Sequence, residues 1–242
     1  MTYHDLSESY PCLKVLSTSL LTEPSEEFRL RTCFPHEVIS QKGAALTQIG
    51  ILASGTFRVV NELENGNVFM IEMNDAPSFV GEVTLLAGEY TTSVTIEAVS
   101  ECIIAFLPVS IFSDWIEKNP ALLRYISRHV AKKLYCSSYH RGERNFYSAQ
   151  YVLLNYLLEH IDITKSTEPA VMHRTRQQMS EEIGMSVNTI NRHLLTFRKE
   201  GLISMLHGKV AQNAVQRASA KNALQIYIAQ NRNGAKEKIP IC

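Results

Sequence analysis

The chain has 242 residues, 45% of them apolar and 20% charged, an ordinary globular composition long enough for two domains. No apolar run approaches the ~20 residues that cross a bilayer, and MTYHDLSESYPCLK has no basic-then-apolar leader pattern, so a cytoplasmic protein without a membrane partner is expected. The net charge of zero hides a division: residues 1–117 hold 5 Lys/Arg against 16 Asp/Glu, a balance of −11, whereas residues 118–242 hold 19 against 8, a balance of +11 that makes this half the candidate for nucleic acid.

From about Phe28 to Leu107 the chain reads as short strands broken by turns: EVIS, QIGILAS, TFRVVNEL, VFMIEM, SVTIEAV and CIIAFLP. Asn65-Gly66 predicts a two-residue hairpin turn in which both residues have positive φ. Regularly spaced strands of this kind predict a β-barrel or jelly roll. At Pro108 the period changes, and SIFSDWIEK reads as a short helix. Asn119-Pro120 then offers a capping side chain and the residue suited to the first helical position. The helix that follows meets no breaker before Gly142, roughly 25 residues or 38 Å at 1.5 Å per residue. Leu123, Ile126, Val130 and Leu134 form one stripe on it, more apolar than one chain can bury, so residues 119–141 are expected to pair two copies. SAQYVLLNYLLEHI predicts a further helix, and DITKSTEP a polar loop.

Residues 174–203, RTRQQMSEEIGMSVNTINRHLLTFRKEGLI, carry the sharpest signal. Thr175 with Gln178 fits a capping box, Met179 and Ile183 face inward, and Gly184 permits a tight turn. Ser186 caps a second helix, buried through Val187, Ile190, Leu194 and Phe197 and ended by Gly201. Two short helices joined this way form a helix-turn-helix, whose second helix fits the major groove. LISMLHGKVAQNAV reads as a winged hairpin around His207, Gly208 and Lys209. Val187, Asn188, Asn191 and Arg192 are the expected base readers, since arginine suits guanine, asparagine suits adenine and valine packs on a thymine methyl. Thr175, Arg176, Gln177, Ser186, Thr189, His207 and Lys209 are the expected phosphate contacts, which fix register on double-stranded DNA.

In these segments the sequence resembles the Crp/Fnr family of bacterial transcription regulators. The match runs over about residues 28–215 and rests on PHEVISQKGAALTQIGILASGTFRVV, GEVTLL, NPALLRYISRHVAKKL and TRQQMSEEIGMSVNTINRHLLTFRKEGLIS, in that order. The resemblance implies an α+β fold: a cyclic-nucleotide-binding-like β-roll (jelly roll) in residues 1–108, a short helix and a long dimerisation helix in 109–145, and a winged helix-turn-helix with a C-terminal extension in 146–242. It also implies a homodimer on a two-fold symmetric operator, an effector sensed by the roll, and RNA polymerase as a partner. Gly81 and Glu82, followed by Val83, match the family's pocket turn, and Ser93 matches the hydroxyl beside the ligand phosphate. Ser137 and Ser138 match the pair that touches the adenine across the dimer. Thr92 stands where cyclic-AMP-binding members place an arginine, and Val187-Asn188 replaces the common Arg-Glu pair, while Arg192 is retained.

A cyclic phosphate needs a cation or dense hydrogen bonding to offset its desolvation. No Lys, Arg or His lies between Arg58 and Lys118, and residues 59–117 carry ten Asp or Glu. Cyclic AMP is therefore not expected as the effector. The pocket is left for a neutral or cationic ligand, or for none. Five cysteines, at 12, 33, 102, 136 and 242, form neither a disulfide framework nor an iron–sulfur ligand pattern. Cys136 and His140, i and i+4 on the long helix with His129 on the same face, are the alternative: a haem or metal site for redox or gas sensing. A cupin-like enzyme needs two or three converging histidines, and the strand region has only His36, so no catalytic residue and no cofactor is assigned.

Overall fold

The computed structural model of the chain describes residues 1–17, 21–163 and 169–235. They fall into two compact units, Met1–Ser137 and Ser138–Cys242. In the first, eight antiparallel strands form two sheets. One holds β1 (Arg29–Cys33), β8 (Cys102–Pro108), β3 (Gln48–Ser54) and β6 (Ser78–Val80), in that spatial order. The other holds β2 (Val38–Ser40), β7 (Thr95–Ala98), β4 (Thr56–Glu62) and β5 (Val68–Asp75). Leu52, Ile104 and Phe106 of the first sheet meet Phe57, Val59 and Ile96 of the second in one core. The alternate residues Ile49, Ile51, Ala105 and Leu107 point the other way, into a second core. QIGILAS and CIIAFLP are nearly continuous apolar runs because β3 and β8 are covered on both faces.

The cover comes from helices at both ends of the strand region. At the N-terminal end stand α1 (Tyr3–Ser9), a 3₁₀ turn (Pro11–Leu13) and α2 (Lys14–Ser17). After β8 come α4 (Val109–Lys118) and α5 (Pro120–Phe146), and α3 (Glu82–Leu86) sits between β6 and β7. Thr2 caps α1 in a capping box with Asp5. Tyr3 and Leu6 then bury beside Trp115, the Tyr3 and Trp115 rings lying 5.5 Å apart. The sequence reading placed no helix here. It also gave Asn119 a capping side chain, and the structure corrects this. The Asn119 carboxamide is fully buried, accepts from the Leu21 and Thr22 N–H groups at 2.6 and 3.1 Å, and donates to the Trp115 carbonyl at 2.7 Å. A buried chain crossing needs its backbone groups satisfied, and Asn119 does that for a segment about a hundred residues away. Only its backbone carbonyl starts α5, by accepting from Leu123.

The β4–β5 hairpin differs from the expected two-residue turn. Of Asn65 and Gly66, only Gly66 has positive φ, and the loop closes from the Leu63 N–H to the Asn67 carbonyl at 2.9 Å. The Asn65 side chain accepts from the Asn67 N–H at 3.0 Å, making a local side-chain turn that needs only one left-handed residue.

The second unit packs α6 (Ala149–His160), α7 (Arg176–Ile183), α8 (Val187–Lys199) and α9 (Ala214–Ala235) with β9 (Ala170–Val171), β10 (Ser204–Leu206) and β11 (Lys209–Gln212). The strands form one sheet in the order β10-β11-β9. Leu154, Leu157, Ile190, Phe197 and Ala220 share its core. Arg217 of α9 donates to the carbonyls of Leu158 and Ile161 at 2.7 and 2.6 Å, placing a cation on the last carbonyls at the C-terminal end of α6.

Candidate DNA interface and effector pocket

Local chemistry fixes both helices of the helix-turn-helix. The Thr175 hydroxyl accepts from the Gln178 N–H at 3.1 Å and the Gln178 side chain accepts from the Thr175 N–H at 2.8 Å, closing the expected capping box. Gly184, at φ 64°, turns the chain out of α7, a conformation that costs a β-carbon-bearing residue about 1 kcal/mol or more. Ser186 caps α8 by accepting from the Thr189 N–H at 3.2 Å. Ile190, Leu194 and Phe197 bury against Met179 and Ile183, which leaves the opposite face of α8 in solvent.

That exposed face is Asn188, Asn191, Arg192 and Leu195, spaced i, i+3, i+4, i+7. Three were expected as base readers. Val187 is not among them: it is half-buried, three and seven positions before Ile190 and Leu194 on the inner stripe. Leu195, 60% exposed, was missed, although the same spacing counted on from Asn188 reaches it. Of the expected phosphate contacts, Gln177 is exposed and donates to Glu181 at 3.0 Å, while Arg176 is half-buried against Met179. Ser186 is exposed, and its hydroxyl lies 2.9 Å from that of half-buried Thr189. His207 and Gly208, at φ 50° and 78°, form the two-residue turn between β10 and β11, with His207 and Lys209 exposed at its tip. The third strand, β9, was not foreseen; it pairs with β11 through only two residues.

In the first unit, Gly81, Glu82, Val83 and Thr92 line one small cavity of about 50 Å³. Ser93 is exposed, and neither it nor Ser137 and Ser138 belongs to that lining. Gly81 has φ 90°, and a β-carbon there would stand 2.9 Å from Leu46 Cδ1. Thr92 turns its hydroxyl onto the segment after β2, donating to the Gln41 carbonyl at 2.6 Å.

The turn has a cation after all. Lys133, from α5, reaches into it with its Nζ 2.8 Å from Glu82 Oε1 and 2.8 Å from Glu72 Oε1. The expectation of a pocket without positive charge is thereby corrected: the cation is supplied from beyond the strand region. Burial pushes the Glu82 carboxyl above the usual range, and Lys133 pulls against that. For Lys133 burial works downward, but Glu82 and Glu72 outweigh it and hold the ammonium above its ordinary value. One turn earlier, His129 stands edge-on to Phe79 with Nε2 3.5 Å from Ser78 Oγ, and burial lowers its pKa. Among the described residues no group of three or more His, Cys, Asp or Glu could hold a metal ion. The side chains of Cys136 and His140 lie outside the described residues.

The long helix carries two stripes. Leu122, Ile126, His129 and Lys133 face the roll, and Ile126, 1% exposed, belongs to its core. The expected dimer stripe therefore loses Ile126; Leu123 is half-buried and packs against the same core, Val130 is half-buried and Leu134 is 65% exposed.

Residues 30–119 match the cyclic nucleotide-binding domain, and residues 153–215 match the Crp-like helix-turn-helix domain. The chain is similar to the cAMP-activated global transcriptional regulator CRP of Salmonella typhimurium, 25% identical over 197 residues, covering 78% of this chain and 93% of that one. It is 27% identical over 187 residues to the regulatory protein YeiL of Escherichia coli O157:H7, covering 76% and 80% of the two chains. Its fold is similar to that of the c-di-GMP responsive global regulator CLP of Xanthomonas campestris, with TM-score 0.69 and 15% identity over 78% of this chain and 95% of that one. The Crp/Fnr-family regulator TTHA1359 of Thermus thermophilus gives 0.62 and 18% over 81% and 98%. No helix among the described residues is long and apolar enough to cross a membrane. Both domain types occur in this one chain, and the chain belongs to the Crp/Fnr family of DNA-binding transcription regulators.

Proposed function

We propose that the protein binds a two-fold symmetric operator as a homodimer, reads it with α8, and does so without cyclic AMP. The observation that carries this reading is the exposed row Asn188, Asn191 and Arg192 on a helix whose other face is fully engaged in the core. Arg192 is assigned to a guanine and the asparagines to adenines, with Leu195 beside them for a thymine methyl. Ser186, Thr189, Thr175, Gln177, His207 and Lys209 are assigned to phosphates. Arg176 and Val187 are left out because burial occupies them.

The dimer is assigned to Leu123, Ser127, Val130, Leu134 and Ser137, which alternate by four and three residues as a two-stranded coiled-coil seam does. RNA polymerase is the expected protein partner. Relatives are named for cAMP activation and for c-di-GMP response. Both ligands bring phosphate charge, and here the cation at the turn, Lys133, is already held by Glu72 and Glu82, while the Thr92 hydroxyl is held by the Gln41 carbonyl. Selection of bound sites from random DNA tests the assignment. The wild type should yield palindromes whose half-sites lose a conserved guanine when Arg192→Ala is used. Recovery of no shared sequence, or of the same sequence by both proteins, contradicts it.

A further inference from the structure

We propose that the acidic turn of the roll is an ammonium-binding site whose ligand is the chain's own Lys133, so that the effector of this pocket is carried on α5. The inference rests on the reading that no nucleotide occupies the pocket, and it adds what fills the site instead.

Three observations converge on it. The Lys133 side chain is 17% exposed and that of Glu82 4%, with Nζ 2.8 Å from carboxylate oxygens of both Glu82 and Glu72. An ammonium has three donors, and two are placed on charged acceptors from different elements, β5 and α3. The remaining free space is about 50 Å³, far below the roughly 300 Å³ or more of ligand pockets. The hydroxyl of Thr92 is turned onto the Gln41 carbonyl at 2.6 Å, so it does not donate to an incoming group.

A carboxylate as buried as that of Glu82, with half-buried Glu72 beside it, is costly unless a cation meets it, and truncating the cation leaves charge stranded. Lys133 ends the roll-facing stripe begun by Leu122 and Ile126, so satisfying Glu82 and fixing α5 against the roll are one event. A ligand tethered this way acts at an effective concentration on the order of millimolar or higher. External amines below that level do not displace it, and the site behaves as permanently occupied.

The test uses the full chain. Lys133→Ala deletes three carbons and the ammonium, the size of n-propylammonium. The variant should melt lower than wild type, and n-propylammonium chloride should raise its melting temperature saturably above equal sodium chloride. Tetramethylammonium, which has no N–H donor, should not, and wild type should respond to neither. A variant that melts with wild type, or gains no more from n-propylammonium than from sodium chloride, overturns the proposal. Where Lys133→Ala does not fold, amine-reactive labelling of the wild type decides. Lys132 is exposed, so it should label at least about tenfold faster than Lys133, and equal rates overturn the proposal. Calorimetry with cyclic AMP separates the two readings: binding by wild type with Lys133 still protected fails the nucleotide-free reading alone.

Discussion

Arg192 and Lys209 differ in what each offers DNA, and the difference is measurable. Arg192 lies on the exposed face of α8, among the positions proposed to read bases, whereas Lys209 stands beside the β10–β11 turn. Arg192→Ala should cost about 1–3 kcal/mol on the selected operator and relax preference at one base pair of each half-site. Lys209→Ala should weaken all sequences and lower the salt slope by about one. Equal behaviour on operator and random DNA would show that α8 is misplaced. At the pocket, burial raises Glu82, so the folded protein takes up that proton at higher pH than the unfolded chain. Between those two values the contribution of Glu82 to stability rises as pH falls, while Lys133 loses the charge on one of its two acceptors. Glu72, His129 and Lys132 share that electrostatic neighbourhood, with Glu72 holding the second acceptor. A carbon-detected titration should place the Glu82 midpoint above the ordinary ~4.3 of glutamate, and a midpoint at or below it contradicts the burial argument. Thr92 was legible as a missing cation only through the family resemblance, which puts an arginine at that position. Lys133 was not, since a contact across 51 residues leaves no periodic trace.

The long helix shows what periodicity gives and withholds. Spacing located the apolar residues of α5 but not which of two neighbouring stripes each belongs to, because Ile126 and Val130 stand only four residues apart. Packing resolves it: Ile126 belongs to the roll and Leu134 to solvent. Leu134→Asp should therefore sediment as a monomer with a melting temperature near wild type. Ile126→Ala should instead lose about 2–5 kcal/mol of stability, the cost of a large-to-small change in a packed core. A Leu134→Asp protein that remains dimeric rules out the seam. The helix-turn-helix was legible because each signal is local, from the Thr175–Gln178 box to Gly184 and the Ser186 cap. The last helix, α9, was not, for its apolar contacts Ala220, Leu224 and Tyr227 are sparse among polar residues. Its anchor is Arg217. Arg217→Ala removes two bonds to α6 and should lower the stability of the second unit by about 1–3 kcal/mol, read by denaturant melting.

Across the whole molecule, charge separates two tasks before any fold is considered. The acidic half forms the roll, and the basic half carries the helix-turn-helix. The regular spacing of short strands and the change of period at Pro108 made the architecture readable, although β1 and β6 were not among the six segments read. The helical cover of the β1-β8-β3-β6 sheet was not read, although the unbroken apolar character of QIGILAS and CIIAFLP recorded it. The short N-terminal helices hide because one buried residue per turn, such as Tyr3, Leu6 and Leu13, resembles any polar leader. The central claim is that a nucleotide-free roll, with Lys133 seated on Glu72 and Glu82, supports specific DNA binding. The direct measurement is the affinity of the full chain for its selected operator at fixed salt, without ligand and with saturating cyclic AMP. Tight, specific binding that is the same in both conditions is the expected result. Specific binding that arises only with cyclic AMP would contradict it.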